Sequence, residues 1–227
     1  MADSLILYGS RARGDSRAGS DVDLISASDG QGIVSPVELN GISVHRYSKG
    51  WLEQQACEGS LFAYHVAFEG IGLLDPDSFL CRLKAAYRPK HSYRDDARIA
   101  ALILRFFMER DWNKSDEAKR RLFWAIRTIL ICASADAGTP LFSSRALEQF
   151  ADLDGLSSLI DRRSLASLAE VNAMGTRVLD MFQPALDDIN GERLAKYLAE
   201  TGGIARDSVR ILGEIEAIEL IGLSIYM

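Results

Sequence analysis

Apolar positions change their spacing part-way along the chain. Up to about Pro89, short β-like runs are separated by Gly, Ser and Asp: Leu5–Tyr8, Val22–Ser26, Ile42–Tyr47 and Ile71–Leu74. Runs of that kind predict strands. Between the third and fourth, Lys49–Cys57 and Ser60–Glu69 carry helical spacing, with Gly59 as a stop between them. From Ser92 onward no period of two persists and helix signals recur. Ser92-x-x-Asp95 has the form of a capping box ahead of Ile99, Leu102, Ile103 and Phe106. Ser115 predicts the cap of a second helix, whose stripe Leu122, Ile126, Ile129, Ala133 runs to Gly138-Thr139-Pro140. Further helices are predicted over Ser164–Phe182, stopped by Pro184, over Gly191–Glu200, and from Ile204 to the C-terminus, giving a bundle of about five. The pattern divides the chain into an α/β segment, residues 1–90, and an all-helical segment, residues 91–227. No internal repeat and no Pro-rich or charged linker interrupts it.

Composition narrows the partners. Of 227 residues, 48% are hydrophobic and 26% charged, the balance of a folded globular chain. Acids outnumber bases, 32 to 26, and do so in both halves, so no general field attracts long nucleic acid or an anionic membrane. No apolar run approaches the ~18 residues of a membrane span, and the acidic start MADSLILYGS does not read as a secretion signal. Cys57, Cys81 and Cys132, odd in number and set in apolar patterns, are expected to be reduced core thiols of a cytoplasmic protein.

Any phosphate must therefore be held locally, and one stretch offers to do so. The run Leu5–Tyr8 delivers Gly9-Ser10 to a strand end, where a bare Cα admits a triphosphate closely and backbone amides and the Ser10 hydroxyl can donate to phosphate oxygens. Arg11, Arg13 and Arg17 add local positive charge. Ser20-Asp21-Val22-Asp23-Leu24 reads as a strand, in which Asp21 and Asp23 aim together while Val22 and Leu24 face the core. Two hard carboxylates beside a phosphate cradle suit Mg²⁺ or Mn²⁺ shared with a nucleoside triphosphate.

This run, a Gly-Ser followed at eleven positions by Asp-x-Asp, resembles the signature of the DNA polymerase β-like nucleotidyltransferase superfamily, in particular its minimal nucleotidyltransferases. The resemblance implies an α+β fold: a small mixed β-sheet nucleotidyltransferase domain over 1–90, followed by an all-α helical bundle over 91–227. It implies transfer of a nucleoside monophosphate from an NTP to a hydroxyl acceptor (a protein, an RNA end or a small molecule) with pyrophosphate leaving. Gly9, Ser10, Arg11, Arg13 and Ser20 would then hold the nucleotide and Asp21 and Asp23 the metal. Family members carry a third carboxylate on a neighbouring strand. Here the strand Gly41–Tyr47 offers His45 at that position, and Glu38 is the other candidate, requiring a shift of hairpin register. That departure leaves a second class open: a degenerate, NTP-binding or antitoxin-like interaction protein, meeting a partner or a second copy through Ile211, Ile215, Ile218 and Ile225. A glycosyltransferase using Asp21-x-Asp23 is the distant third.

Several residues carry plainer expectations. His65, between apolar neighbours, reads as a structural histidine and His91 as surface. Arg127, inside an apolar helix, calls for an interhelix ion pair or a cleft wall. Lys119, Arg120 and Arg121 read as a solvated face. Helical partners of minimal nucleotidyltransferases include RNases that use an Arg and a following His; no His follows His91, which excludes that chemistry here.

Overall fold

The computed structural model describes residues 3–17, 20–30, 34–110, 115–182 and 189–213. The chain forms two compact units, Met1–His91 and Ser92–Met227. In the first, the elements are β1 (Ser4–Tyr8), α1 (Ser10–Arg13), β2 (Val22–Ser28), β3 (Val34–Leu39), β4 (Ile42–Ser48), α2 (Lys49–Cys57), α3 (Leu61–Glu69), β5 (Ile71–Leu74) and α4 (Phe79–Ala86). The five strands make one mixed sheet in the order β3-β4-β2-β1-β5. Only β2 and β4 run parallel; the other neighbours are antiparallel.

The sheet has one helix-covered face. Ile6, Ile25 and Ala27 point into it and are buried with Leu52 and Ala56 of α2, Val66 of α3, and Phe79 and Leu83 of α4. Residues two apart on a strand share a face, so Asp23 lies on the same face as Ile25 and Ala27. This reverses the expected inward face of β2: Val22 and Leu24 lie on the other face, partly exposed. The physical reason is that the helices cover the middle of the Asp23 face and leave the carboxylates at its mouth.

A polar network closes the opposite end of the sheet. The buried Lys49 ammonium meets Asp77 at 2.9 Å, and the Ser4 hydroxyl donates to Asp75 Oδ1 at 3.1 Å. Asp75 in turn accepts the Phe79 amide at 2.7 Å, anchoring the start of α4. The Lys49 ammonium holds the Asp77 carboxyl below its ordinary value.

Among its described residues the second unit forms helices and no strand: α5 (Arg94–Met108), α6 (Asp116–Asp136), α7 (Ser144–Ala151), α8 (Leu156–Asp161), α9 (Leu168–Phe182), α10 (Gly191–Thr201) and α11 (Gly203–Ile211). Its core gathers Leu102, Ile103 and Phe106 of α5 with Leu122, Ile126 and Ile129 of α6. The predicted stripes therefore form the core seam. Two details of the ends differ from expectation. Asp136, at the end of α6, accepts the Tyr93 amide at 2.7 Å and the Ser92 hydroxyl at 3.2 Å. Tyr93, not Ser92, takes the cap position, while the Ser92 hydroxyl oxygen accepts the Arg94 amide at 3.2 Å. The predicted helix from Ser164 begins at Leu168 with a reciprocal cap: the Ser167 amide donates to Glu170 Oε2 at 2.9 Å and the Glu170 amide to Ser167 Oγ at 3.3 Å.

Ser115 caps α6 through the Ala118 amide at 3.1 Å. Ser115→Ala is expected to cost about 1 kcal/mol, seen as a lower urea midpoint with an unchanged slope. Arg127 donates to the Phe142 carbonyl at 2.9 Å, tying α6 to the segment before α7. Arg121 is not a solvated charge: it is half-buried, and desolvation lowers its pKa. Among the cysteines only Cys132 is buried; Cys81 is exposed because it faces away from the buried Phe79 and Leu83 of α4, and Cys57 because it is the last residue of α2. Of the apolar positions offered as a partner surface, Ile211 closes α11, while Ile215, Ile218 and Ile225 lie outside the described residues. Among the described residues, no helix is long and apolar enough to cross a membrane.

Candidate functional site

The site begins where β1 ends. Gly9 has φ 77° and ψ −157°, a region open essentially to glycine alone. The chain turns there into the single turn of α1. A Cβ at Gly9 would lie 2.7 Å from Asp23 Oδ2, so the bare Cα of the Gly-Ser turn is what lets the Asp-x-Asp strand close against it. Two sequence features read separately are thus one packed object.

Strand pairing then sets a row across the sheet. Tyr8 pairs with Asp23, Asp23 with Ser43, and Ser43 with Glu38. Paired residues share a face, so Asp23, Ser43 and Glu38 line up on one side, and Asp21 lies just ahead of β2, two positions before Asp23. No shift of the hairpin is needed to bring Glu38 there, contrary to the sequence reading. Asn40 and Gly41 both have positive φ, 50° and 76°, the two-residue turn that fixes Leu39 opposite Ile42. The Asn-Gly pair was the available signal. His45 falls one row deeper, opposite Ile25, and its Nε2 reaches back to Ser43 Oγ at 3.1 Å.

The arginines are tied into the protein. Arg11 donates from Nη2 to the Ser20 carbonyl at 2.7 Å and from Nε to the Asp21 carbonyl at 3.2 Å. It clamps the turn α1 to the strand that carries the carboxylates. Arg13 bonds to Glu69 at 3.1 Å and Asp15 at 3.2 Å. Ser20 Oγ accepts the Arg17 amide at 2.9 Å. The five residues expected to hold a nucleotide, Gly9, Ser10, Arg11, Arg13 and Ser20, are therefore gathered around one loop, with two of them serving as its struts.

Sequence reasoning missed Tyr8 and Glu69. Glu69 Oε2 accepts both Arg13 and, at 2.6 Å, His65 Nδ1 one helical turn before it. His65 is thus a partnered structural histidine, its ring set edge-on to Tyr8 at 5.6 Å between centroids. Burial raises the Tyr8 hydroxyl pKa, with the Asp23 and Tyr47 charges adding to it. For Glu69, burial alone would raise the carboxyl, but the bonds and charges of His65 and Arg13 outweigh it and hold the group below its ordinary 4.5. A carboxyl lowered on folding contributes stability above its unfolded value, and that contribution is lost as pH falls through the lower folded value. Urea midpoints measured from about pH 6 to about pH 3 should accordingly drop less steeply in Glu69→Gln than in the natural chain.

Asp21 and Asp23 are hard oxygen donors of the type Mg²⁺ takes, and the Gly9 turn lies so close to Asp23 that a Cβ there would stand 2.7 Å from its Oδ2. Among the described residues no group of three His, Cys, Asp or Glu side chains gathers as a metal set. No family model matches the chain, and no curated protein matches it.

Proposed function

We propose that this chain is a metal-dependent nucleotidyltransferase, moving a nucleoside monophosphate from an NTP to a hydroxyl acceptor. The reading is supported by the packing of the Gly9 turn on the Asp23 carboxylate, with Asp21 two positions earlier in the chain. Mg²⁺ or Mn²⁺ held by Asp21 and Asp23 would supply Lewis-acid polarisation of the phosphoryl group. The chain's own residues do the rest. The Ser10 hydroxyl and the backbone after Gly9 bind the triphosphate, and Arg11 keeps Asp21 in place through its carbonyl. The acceptor oxygen bonds to the α-phosphorus as the bond to the pyrophosphate oxygen breaks. Its proton passes to Glu38, in the carboxylate row, or to His45 behind Ser43.

The test is incubation of the full chain with each α-labelled NTP, Mg²⁺ or Mn²⁺, and a lysate of its host. Label on a discrete acceptor is the expected result. One observation favours a second reading: the β4 neighbour of Asp23 is Ser43, not an acid. A chain that binds NTP yet transfers no label would be a regulatory binding protein with this site retained for recognition.

A further inference from the structure

The face of the sheet that points away from α2, α3 and α4 is aliphatic. Strand pairing lays one row straight across all five strands: Val37 opposite Val44, Val44 opposite Leu24, Leu24 opposite Leu7, and Leu7 opposite Ile71. With neighbouring strands about 4.8 Å apart, the row runs roughly 19 Å from one sheet edge to the other. Val22 and Ile42 pair on one side of it, and Leu74, Leu5, Ser26 and Arg46 make the next row on the other side. Val37 is 50% exposed, Ile42 42%, Ile71 47% and Leu74 56%. Leu5, Leu7, Leu24 and Val44 are part-exposed. Single apolar side chains in solvent are ordinary on a protein surface; a contiguous apolar face is the mark of a contact.

We propose that this face is where two copies of the chain meet, one sheet stacked on the other. Charge and area select the second copy as its occupant. The chain carries a net charge of −6, so copies repel one another except where they present neutral surface. The row from Val37 to Ile71 is neutral from end to end, and Arg46 lies off it in the flanking row. A twofold axis along β2 lays the row on its own reverse: Leu24 on the partner's Leu24, Val44 on the partner's Leu7, and Val37 on the partner's Ile71. Every such pair is aliphatic, as a self-complementary contact requires, and stacked sheets lie about 10 Å apart. Five strands of four to seven residues present roughly 450 Å² of face. Two copies therefore withdraw roughly 900 Å², the range of weak, reversible pairs. Edge-to-edge pairing is the other way for sheets to associate, and both edges discourage it. Strand β3 contains Pro36 and a break of register between Val34 and Val37, and β5 is four residues long with its own break opposite Leu5 and Ile6.

Sedimentation equilibrium of the full natural chain, from about 1 µM to about 1 mM, tests this. The expected result is a reversible monomer–dimer equilibrium with a Kd of about micromolar or weaker. A monomer throughout overturns the proposal without any variant, so a substituted chain that fails to fold does not shelter it. Val44→Glu and Ile42→Glu each bring an unpaired carboxylate into the contact and are expected to weaken the dimer at least about tenfold. An undiminished dimer in the folded variants places the contact on another surface and overturns the proposal. Photo-crosslinking from benzoylphenylalanine at Val37, in a mixture of ¹⁵N-labelled and unlabelled full chains, identifies the occupant directly. Links that join the two labels through peptides of β1 or β5 are expected. Links confined to one chain would show the face covered from inside the molecule, and would overturn the proposal as well.

Discussion

Asp23→Asn is expected to remove label transfer while the protein unfolds at an unchanged urea midpoint. The amide keeps the shape of the carboxylate against Gly9, so the packing at 2.7 Å from a Cβ position there is preserved. What it loses is the negative oxygen that a hard divalent cation requires. Residues that merely orient a metal ligand cost about 10–100-fold when mutated; a direct ligand is expected to cost at least about 100-fold. Asp21→Asn should match it in direction. It should also leave the Arg11 clamp in place, because Arg11 binds the Asp21 carbonyl and not its side chain. Transfer assays and denaturation run on the same preparations check both halves. Transfer retained in Asp23→Asn would remove this acid from the reaction.

Gly9→Ala should have the opposite profile, damaging fold and function together. Two costs coincide at this position. The backbone at φ 77°, ψ −157° is all but closed to a side chain, a strain of about 1–3 kcal/mol. The new methyl must also displace Asp23 Oδ2 from 2.7 Å. Relief by backbone movement draws the turn away from β2, and relief by side-chain movement takes Asp23 out of register with Asp21. Either route spoils the donor pair. A midpoint loss equivalent to about 1–3 kcal/mol, with loss of transfer comparable to Asp23→Asn, is the expected result. A Gly9→Ala protein that unfolds earlier but transfers at the natural rate would show that the carboxylate does not work from its position against the turn.

The two variants also mark what sequence could and could not deliver. Strands β1, β2 and β4 and helices α2, α3, α5 and α6 were legible because each buries one face, and burial imposes a period; β5 was legible as a short apolar run, although all four of its residues are exposed. Strand β3 was not. Val34–Leu39 contains Pro36, which argues against a strand, and it is permitted because β3 is an edge. Helices α1, α7 and α8 are too short to display a helical period clearly. At the site, Asp21, Asp23, Gly9 and Ser10 were legible as residue types at a spacing, which is local information. The roles of Arg11 and Arg13 were not, because their partners are main-chain carbonyls and a carboxylate 56 positions away. The inward face of β2 was misassigned for a related reason: alternation reports that two faces differ, and only the placement of the helices decides which is covered.

The Asn40-Gly41 turn bears on how such a site could diverge. Because side chains alternate along a strand, one residue added to or removed from the hairpin would rotate Glu38 to the far face and bring Val37 or Leu39 into the carboxylate row. Sheet order and helix cover would stand. The presence or absence of an acid beside Asp23 is then a matter of counting, open to change by a single codon insertion or deletion with no substitution at all. Lineages of this architecture could gain or lose a ligand by loop length alone.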